Sequence, residues 1–233
     1  LRKEKEEEKM WEKVKKLFAP SDMTVGTPWK KIVAFMIPML IGNIAQQMYN
    51  TVDSIVVGRY VGDNALAAVG SAGPIFQLLL VLFAGIAVGA GIMVSQYFGA
   101  KARDELSETI GCCITLTILA SLALMILSPF IVRPLLELLD TPASIIDWCD
   151  SYLMILMIGI GGLAFYNILS GILRGMGDSV SALLYLLIAT VMNIVLDIFF
   201  VKDLQMGVSG VALATVIAQT FSGILCLIRL MKM

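Results

Sequence analysis

The chain has 233 residues, 58% of them hydrophobic and 15% charged, with a mean hydropathy of +0.88. A soluble domain carries about 25% charged residues, so this composition excludes an ordinary soluble domain and points to a membrane protein. A formal net charge of −1 offers no footing for nucleic acid, and the absence of histidine excludes histidine-based triads, proton shuttles and metal sites.

Residues 1–18 are rich in Lys and Glu, and Met10, Trp11, Val14, Leu17 and Phe18 fall on one helical stripe. That pattern fits a helix lying on the cytoplasmic membrane surface, or equally a solvated tail. No signal peptide is expected, because the first sixteen residues are charged throughout. Pro20 ends this helix, so residues 1–27 read as a charged helix and linker and residues 28–233 as the membrane unit.

Six apolar spans follow, at about residues 31–57, 65–97, 106–132, 143–173, 179–201 and 207–230. Each exceeds the ~20 residues needed to cross the hydrocarbon. The fold class expected is an all-α polytopic membrane protein, a six-helix transmembrane bundle. With the N-terminus in the cytoplasm, the inner side holds 14 Lys/Arg and the outer side 3. That bias puts both termini in the cytoplasm, with the cell membrane as the location. The connecting loops are short, so neighbouring spans pack antiparallel and leave no room for a soluble enzyme domain. Gly85, Gly89 and Gly91 of the second span form a small-residue pattern for close helix contact. Cys112, Cys113, Cys149 and Cys226 match no zinc spacing and read as small hydrophobes.

Polar residues inside the spans carry the functional signal. In the first span, Asn43, Gln46, Gln47, Asn50 and Asp53 fall within about a third of the helical wheel. Such a stripe is very costly against lipid. It serves either as interhelical glue or, more in keeping with its length and its terminal carboxylate, as the wall of a cavity. Pro38 interrupts the same helix and makes it bent or bendable. In the fifth span, Asn193 and Asp197 lie four residues apart on one face. A carboxylate at membrane depth costs on the order of 2.5–3.5 kcal/mol even on the lenient insertion scale. Asp197 either reaches headgroup water or serves an ion or proton site. Counting from the span ends, Asp53, Asn193, Asp197 and Thr215 share a depth in the outer half of the membrane. Two adjacent buried carboxylates must share a proton or hold a cation. Asn167 lies deep in the fourth span and could face the same cavity.

Several stretches together resemble the N-terminal lobe of the multidrug and toxic compound extrusion (MATE) transporters. They are Ile37-Pro38 with Asn43-Ile44-Ala45-Gln46-Gln47, and Val52-Asp53-Ser54-Ile55-Val56-Val57-Gly58-Arg59. Ala65-Leu66-Ala67-Ala68-Val69-Gly70, Ser95-Gln96-Tyr97-Phe98-Gly99-Ala100, Arg174-Gly175-Met176-Gly177-Asp178 and Gly207-Val208-Ser209-Gly210-Val211-Ala212-Leu213-Ala214-Thr215 continue it. The resemblance implies an exporter of organic cations and other amphiphiles that works by alternating access in exchange for H⁺ or Na⁺. By matched motif it implies a coupling-cation site at Asp53, Asn193, Asp197 and Thr215, which would also be the place for any Na⁺. It further implies a substrate cavity at Gln46, Tyr49 and Asn167, to which the polar stripe adds Asn50, and a helix bend at Pro38. No cofactor beyond the coupling ion is expected, and no nucleic acid. The partners implied are the bilayer, small amphiphilic or cationic substrates, and a second six-helix lobe, since family members have two lobes around one cavity. Whether that lobe is a missing half or a second copy stays open. A lipid-linked oligosaccharide flippase of the same superfamily, or a channel-like subunit, are the alternative functions. No nucleophile–base pair, metal cluster or phosphate loop supports an enzyme.

Overall fold

A computed structural model of the chain describes residues 27–233. The charged N-terminal helix expected over residues 1–18 lies outside that range. Among the described residues every regular element is helical: α1 (Pro28–Tyr60), α2 (Asp63–Gly99), α3 (Arg103–Leu138), α4 (Ile146–Ile158), α5 (Ile160–Gly175), α6 (Ser179–Ile198) and α7 (Val208–Leu230). A π-helical turn, Phe199–Asp203, extends α6. Pro28 opens α1 at the position where a missing N–H costs nothing.

By length and hydropathy, α1, α2, α3, α6 with its π-turn, and α7 can each cross a membrane, and α4 with α5 makes a sixth, bent crossing. The outer surface of the bundle is apolar: Leu78, Val81, Ile126 and Phe130 are 64–74% exposed. Such large exposed hydrophobics are what a lipid-facing surface requires and what a water-facing one avoids. The chain is a multi-pass membrane protein.

The fourth span differs from the single long helix expected over residues 143–173. It breaks at Gly159, where α4 and α5 meet at 54°. The cause is close packing on α7. A Cβ on Gly159 would collide with the Val216 side chain, and one on Gly162 with Thr220. The second span also departs from expectation. A Cβ on Gly85 or Gly89 would meet nothing within 4 Å, so these two glycines do not mark a helix contact. The close approach lies further along, where a Cβ on Gly175 would stand 2.7 Å from the Gly91 carbonyl oxygen. Glycine on the α5 side, at Gly171 and Gly175, lets that helix come so near the α2 backbone at Ala87 and Gly91.

Side-chain packing forms two layers along the bundle. One gathers Val57, Ala65, Phe83, Leu136, Leu153 and Leu156 toward the end where α1 finishes. The other gathers Ala90, Val94, Leu169, Ile172, Leu173 and Ala182 toward the end where α6 starts. Cys113, Cys149 and Cys226 are buried and Cys112 is exposed; all four are free thiols.

The candidate site lies among α1, α6 and α7. α6 and α7 are joined by a short turn in which Gln205 and Gly207 both take positive φ, 54° and 59°. The π-turn carries α6 into this reversal, with the Leu204 N–H donating to the Phe199 carbonyl at 3.1 Å. π-turns of this kind often stand beside functional sites. Here it begins two residues after Asp197.

Candidate functional site

The polar stripe of α1 divides in two once the helix is packed. Ala45, Tyr49 and Asp53, spaced i, i+4, i+8, turn into the bundle and are buried. Gln46 is half-buried at their edge. Asn43, Gln47 and Asn50 lie on the other side of the helix and are exposed. Asn50 donates to Gln47 Oε1 at 3.4 Å. The expected single cavity wall is therefore two faces. One enters the lobe, and the other is exposed, with Asn43 at its start bordering the cleft beside Pro38.

Across from the buried face stand Asn193 and Asp197 of α6, both 0% exposed. The carboxyl groups of Asp53 and Asp197 interact with each other across the α1–α6 contact. No lysine or arginine among the described residues interacts with either. Asp53 Oδ1, both Asp197 oxygens and both side-chain polar atoms of Asn193 are out of solvent and have no hydrogen-bond partner among the described residues. Such groups are stabilised in a low-dielectric interior only when something pairs with them. Two negative charges held face to face would also repel strongly. A proton shared between them, or a small cation among their oxygens and the Asn193 carbonyl, removes both problems. The donor set fits either, since hard cations take carboxylate and amide oxygens.

Thr215 enters the same place from α7. It accepts a hydrogen bond from the Tyr49 hydroxyl at 2.9 Å, buried, and so ties α1 to α7. Tyr49, which the resemblance assigns to the substrate cavity, packs beside the acid pair, and its hydroxyl approaches that pair from α1. Tyr152 of α4 is also buried close to both carboxyls. Asn167 stands apart, on α5, where its side-chain amide donates to the Leu163 carbonyl at 2.8 Å. Pro38 lies within the continuous helix α1. It lines a cleft among α1, α5 and α6 together with Asn43, Tyr166, Arg174 and Ser179.

Two features carry no clear mark in the sequence. Gln219, one turn beyond Thr215 on α7, is buried with its carbonyl oxygen unpartnered among the described residues. The spacing Thr215, Gln219, Ser222 was the available signal, a polar stripe in the sixth span. The other is Asp178. It caps α6 by accepting from the Ser181 N–H at 3.1 Å, and it accepts from Arg229 Nε at 2.8 Å. That pair closes the end of the bundle opposite the π-turn.

A model of the MatE family matches residues 38–199. Among curated relatives, the Bacillus subtilis (strain 168) protein named Probable multidrug resistance protein YoeA is 31% identical over 208 residues, 88% of this chain and 45% of its own length. Probable multidrug resistance protein YpnP of the same strain is 32% identical over 198 residues, 85% of this chain and 44% of its own. The chain thus spans less than half the length of these relatives. A solved multidrug resistance MATE family transporter of the MOP superfamily, in its outward-facing conformation, superposes with a TM-score of 0.82 at 31% identity, covering 88% of this chain and 45% of that one.

Proposed function

The chain belongs to the MatE family of membrane transporters, and on that premise we propose that it forms one lobe of a cation-coupled exporter of drugs or other organic cations. The observation that carries this reading is the face-to-face pair Asp53 and Asp197, buried without a positive partner among the described residues. Nothing in folding alone rewards such a pair, and intramembrane acids generally serve ion or proton movement. The coupling ion, H⁺ or Na⁺, binds at Asp53, Asn193, Asp197 and Thr215 and is one of the two transported substrates.

The mechanism follows from which helices the site joins. Asp53 and Tyr49 belong to α1, while Asp197 and Thr215 belong to α6 and α7. A cation or proton between the carboxyls holds α1 against α6. Its loss leaves two like charges that push the helices apart. α1 can respond because Pro38 removes one of its backbone hydrogen bonds. The arrangement of α1 then sets the exposed polar face, Asn43, Gln47 and Asn50, which with Gln46 and Asn167 borders the substrate path. A substrate that prefers the other arrangement of α1 is coupled to the cation through that difference in affinity.

The exposed polar face calls for water or protein rather than lipid. A second six-helix lobe meets that need and accords with relatives about twice as long. The Lys/Arg distribution, 14 against 3, supports cytoplasmic termini in the cell membrane.

The test is Asp197→Asn in the full-length protein, with efflux of a fluorescent cation read in everted vesicles. Cation-driven efflux is lost while membrane insertion and thermal stability stay intact. Efflux near the wild-type rate would overturn the site.

A further inference from the structure

Gln219 is unexplained by the acid pair and by the motif match. Its side chain is 7% exposed, and its Oε1 is out of solvent with no partner among the described residues. A buried acceptor without a donor is unfavourable, and an aliphatic residue would avoid the penalty.

Its level in the bundle follows from four contacts. A Cβ on Gly42 of α1 would lie 3.6 Å from Leu186 of α6, and further along the same two helices Asp53 faces Asp197. Gln46 is therefore level with Thr190, within one residue of Ala189. On the other side of α6, Ser222 donates to the Tyr185 carbonyl at 2.9 Å, and Thr215 meets Tyr49. Gln219 is therefore level with Ala189. Ala189 is buried and contributes only a methyl group at this level.

The polar groups then form a ladder with steps of about one helical turn, ~5.4 Å. Asp53 and Asp197 come first, then Asn193 with the Tyr49–Thr215 bond, then Gln46 with Gln219, then Ser222. The ladder runs from the acid pair toward the end of the bundle closed by Asp178 and Arg229.

We propose that Gln219, opposite Gln46 across Ala189, is the step through which the coupling cation, as Na⁺ or a hydrated proton, passes between the acid pair and the Arg174/Arg229 end of the lobe. Both forms of cation need the same thing there, an amide oxygen acceptor in an otherwise apolar stretch. This rests on the reading that the acid pair binds the cation.

The experiment uses the full-length transporter in liposomes, with Gln219→Leu and Gln219→Asn. Occupancy is read at equilibrium from carbodiimide labelling of Asp53 and Asp197, which bound Na⁺ suppresses and bound H⁺ promotes. Exchange is read as a rate, with ²²Na⁺ at fixed pH in one arm and a lumenal pH dye without Na⁺ in the other. Gln219→Leu slows exchange by roughly tenfold or more while occupancy stays within about twofold. Gln219→Asn, which keeps the acceptor, recovers most of the rate. The arm that slows identifies the cation. Wild-type exchange in Gln219→Leu overturns the proposal, and so does an equal loss of rate and occupancy that Asn does not rescue. Asp197→Asn is run alongside. If it abolishes the cation dependence of labelling while Gln219→Leu exchanges normally, the path alone is wrong. If it keeps that dependence and exchange, the acid-site reading fails and the path with it.

Discussion

The Tyr49 hydroxyl donates to Thr215 Oγ1 at 2.9 Å, across 166 residues of chain. This bond joins the proline-containing first helix to the last helix beside the acid pair. Tyr49→Phe and Thr215→Val each lower stability by about 0.5–1.5 kcal/mol, the net worth of a buried hydrogen bond. The double variant falls short of the sum, because both changes remove one interaction. Thermal unfolding of the four proteins in nanodiscs measures this; strict additivity would mean that the bond contributes nothing.

The Asp178–Arg229 pair is lopsided. The Asp178 side chain is 1% exposed and that of Arg229 is 26% exposed. Arg229→Ala leaves a buried carboxylate unpaired and is the more damaging change, at about 3–5 kcal/mol. Asp178→Asn keeps the α6 cap and leaves an arginine that can reach water, so it costs much less. Asp178→Ala, which also loses the cap, lies between. The order of melting temperatures in one detergent checks this ranking.

Glycines that look alike in the sequence separate here. Gly175→Ala puts a methyl 2.7 Å from a backbone oxygen of Gly91 and destabilises by about 1–3 kcal/mol through overpacking. Gly85→Ala and Gly89→Ala meet open space and are neutral, or stabilising by up to about 1 kcal/mol through helix propensity. The sign of the change in unfolding midpoint distinguishes the two groups.

The exposed half of the α1 stripe offers a different contrast. Asn50→Ala and Gln47→Ala lose only a 3.4 Å contact between exposed side chains. Stability of the lobe changes by no more than about 0.5 kcal/mol. Efflux by the full-length protein changes in rate or substrate profile, because this face borders the substrate path. Wild-type efflux profiles for both variants would remove the stripe from that path.

The spans, their number and the membrane setting were legible in the sequence, because hydropathy and length act locally. So was the oddity of Asp53, Asn193 and Asp197, since a polar group at membrane depth is costly wherever its helix packs. Depth followed from counting residues along each span, which already set Asp53, Asn193, Asp197 and Thr215 at one level. Rotation and contact did not follow. Which side of α1 turns inward, and so why Tyr49 enters the bundle while Asn50 leaves it, depends on packing against α6 and α7. The bend at Gly159 depends on Val216, and the close approach at Gly175 on Gly91, partners distant in the chain. Gln219 and Asp178 are ordinary residues in the sequence. Only burial without a partner for one, and against Arg229 for the other, gives them meaning. A helix carries its own hydrogen bonds and hydrophobicity, but its neighbours alone decide which face it buries.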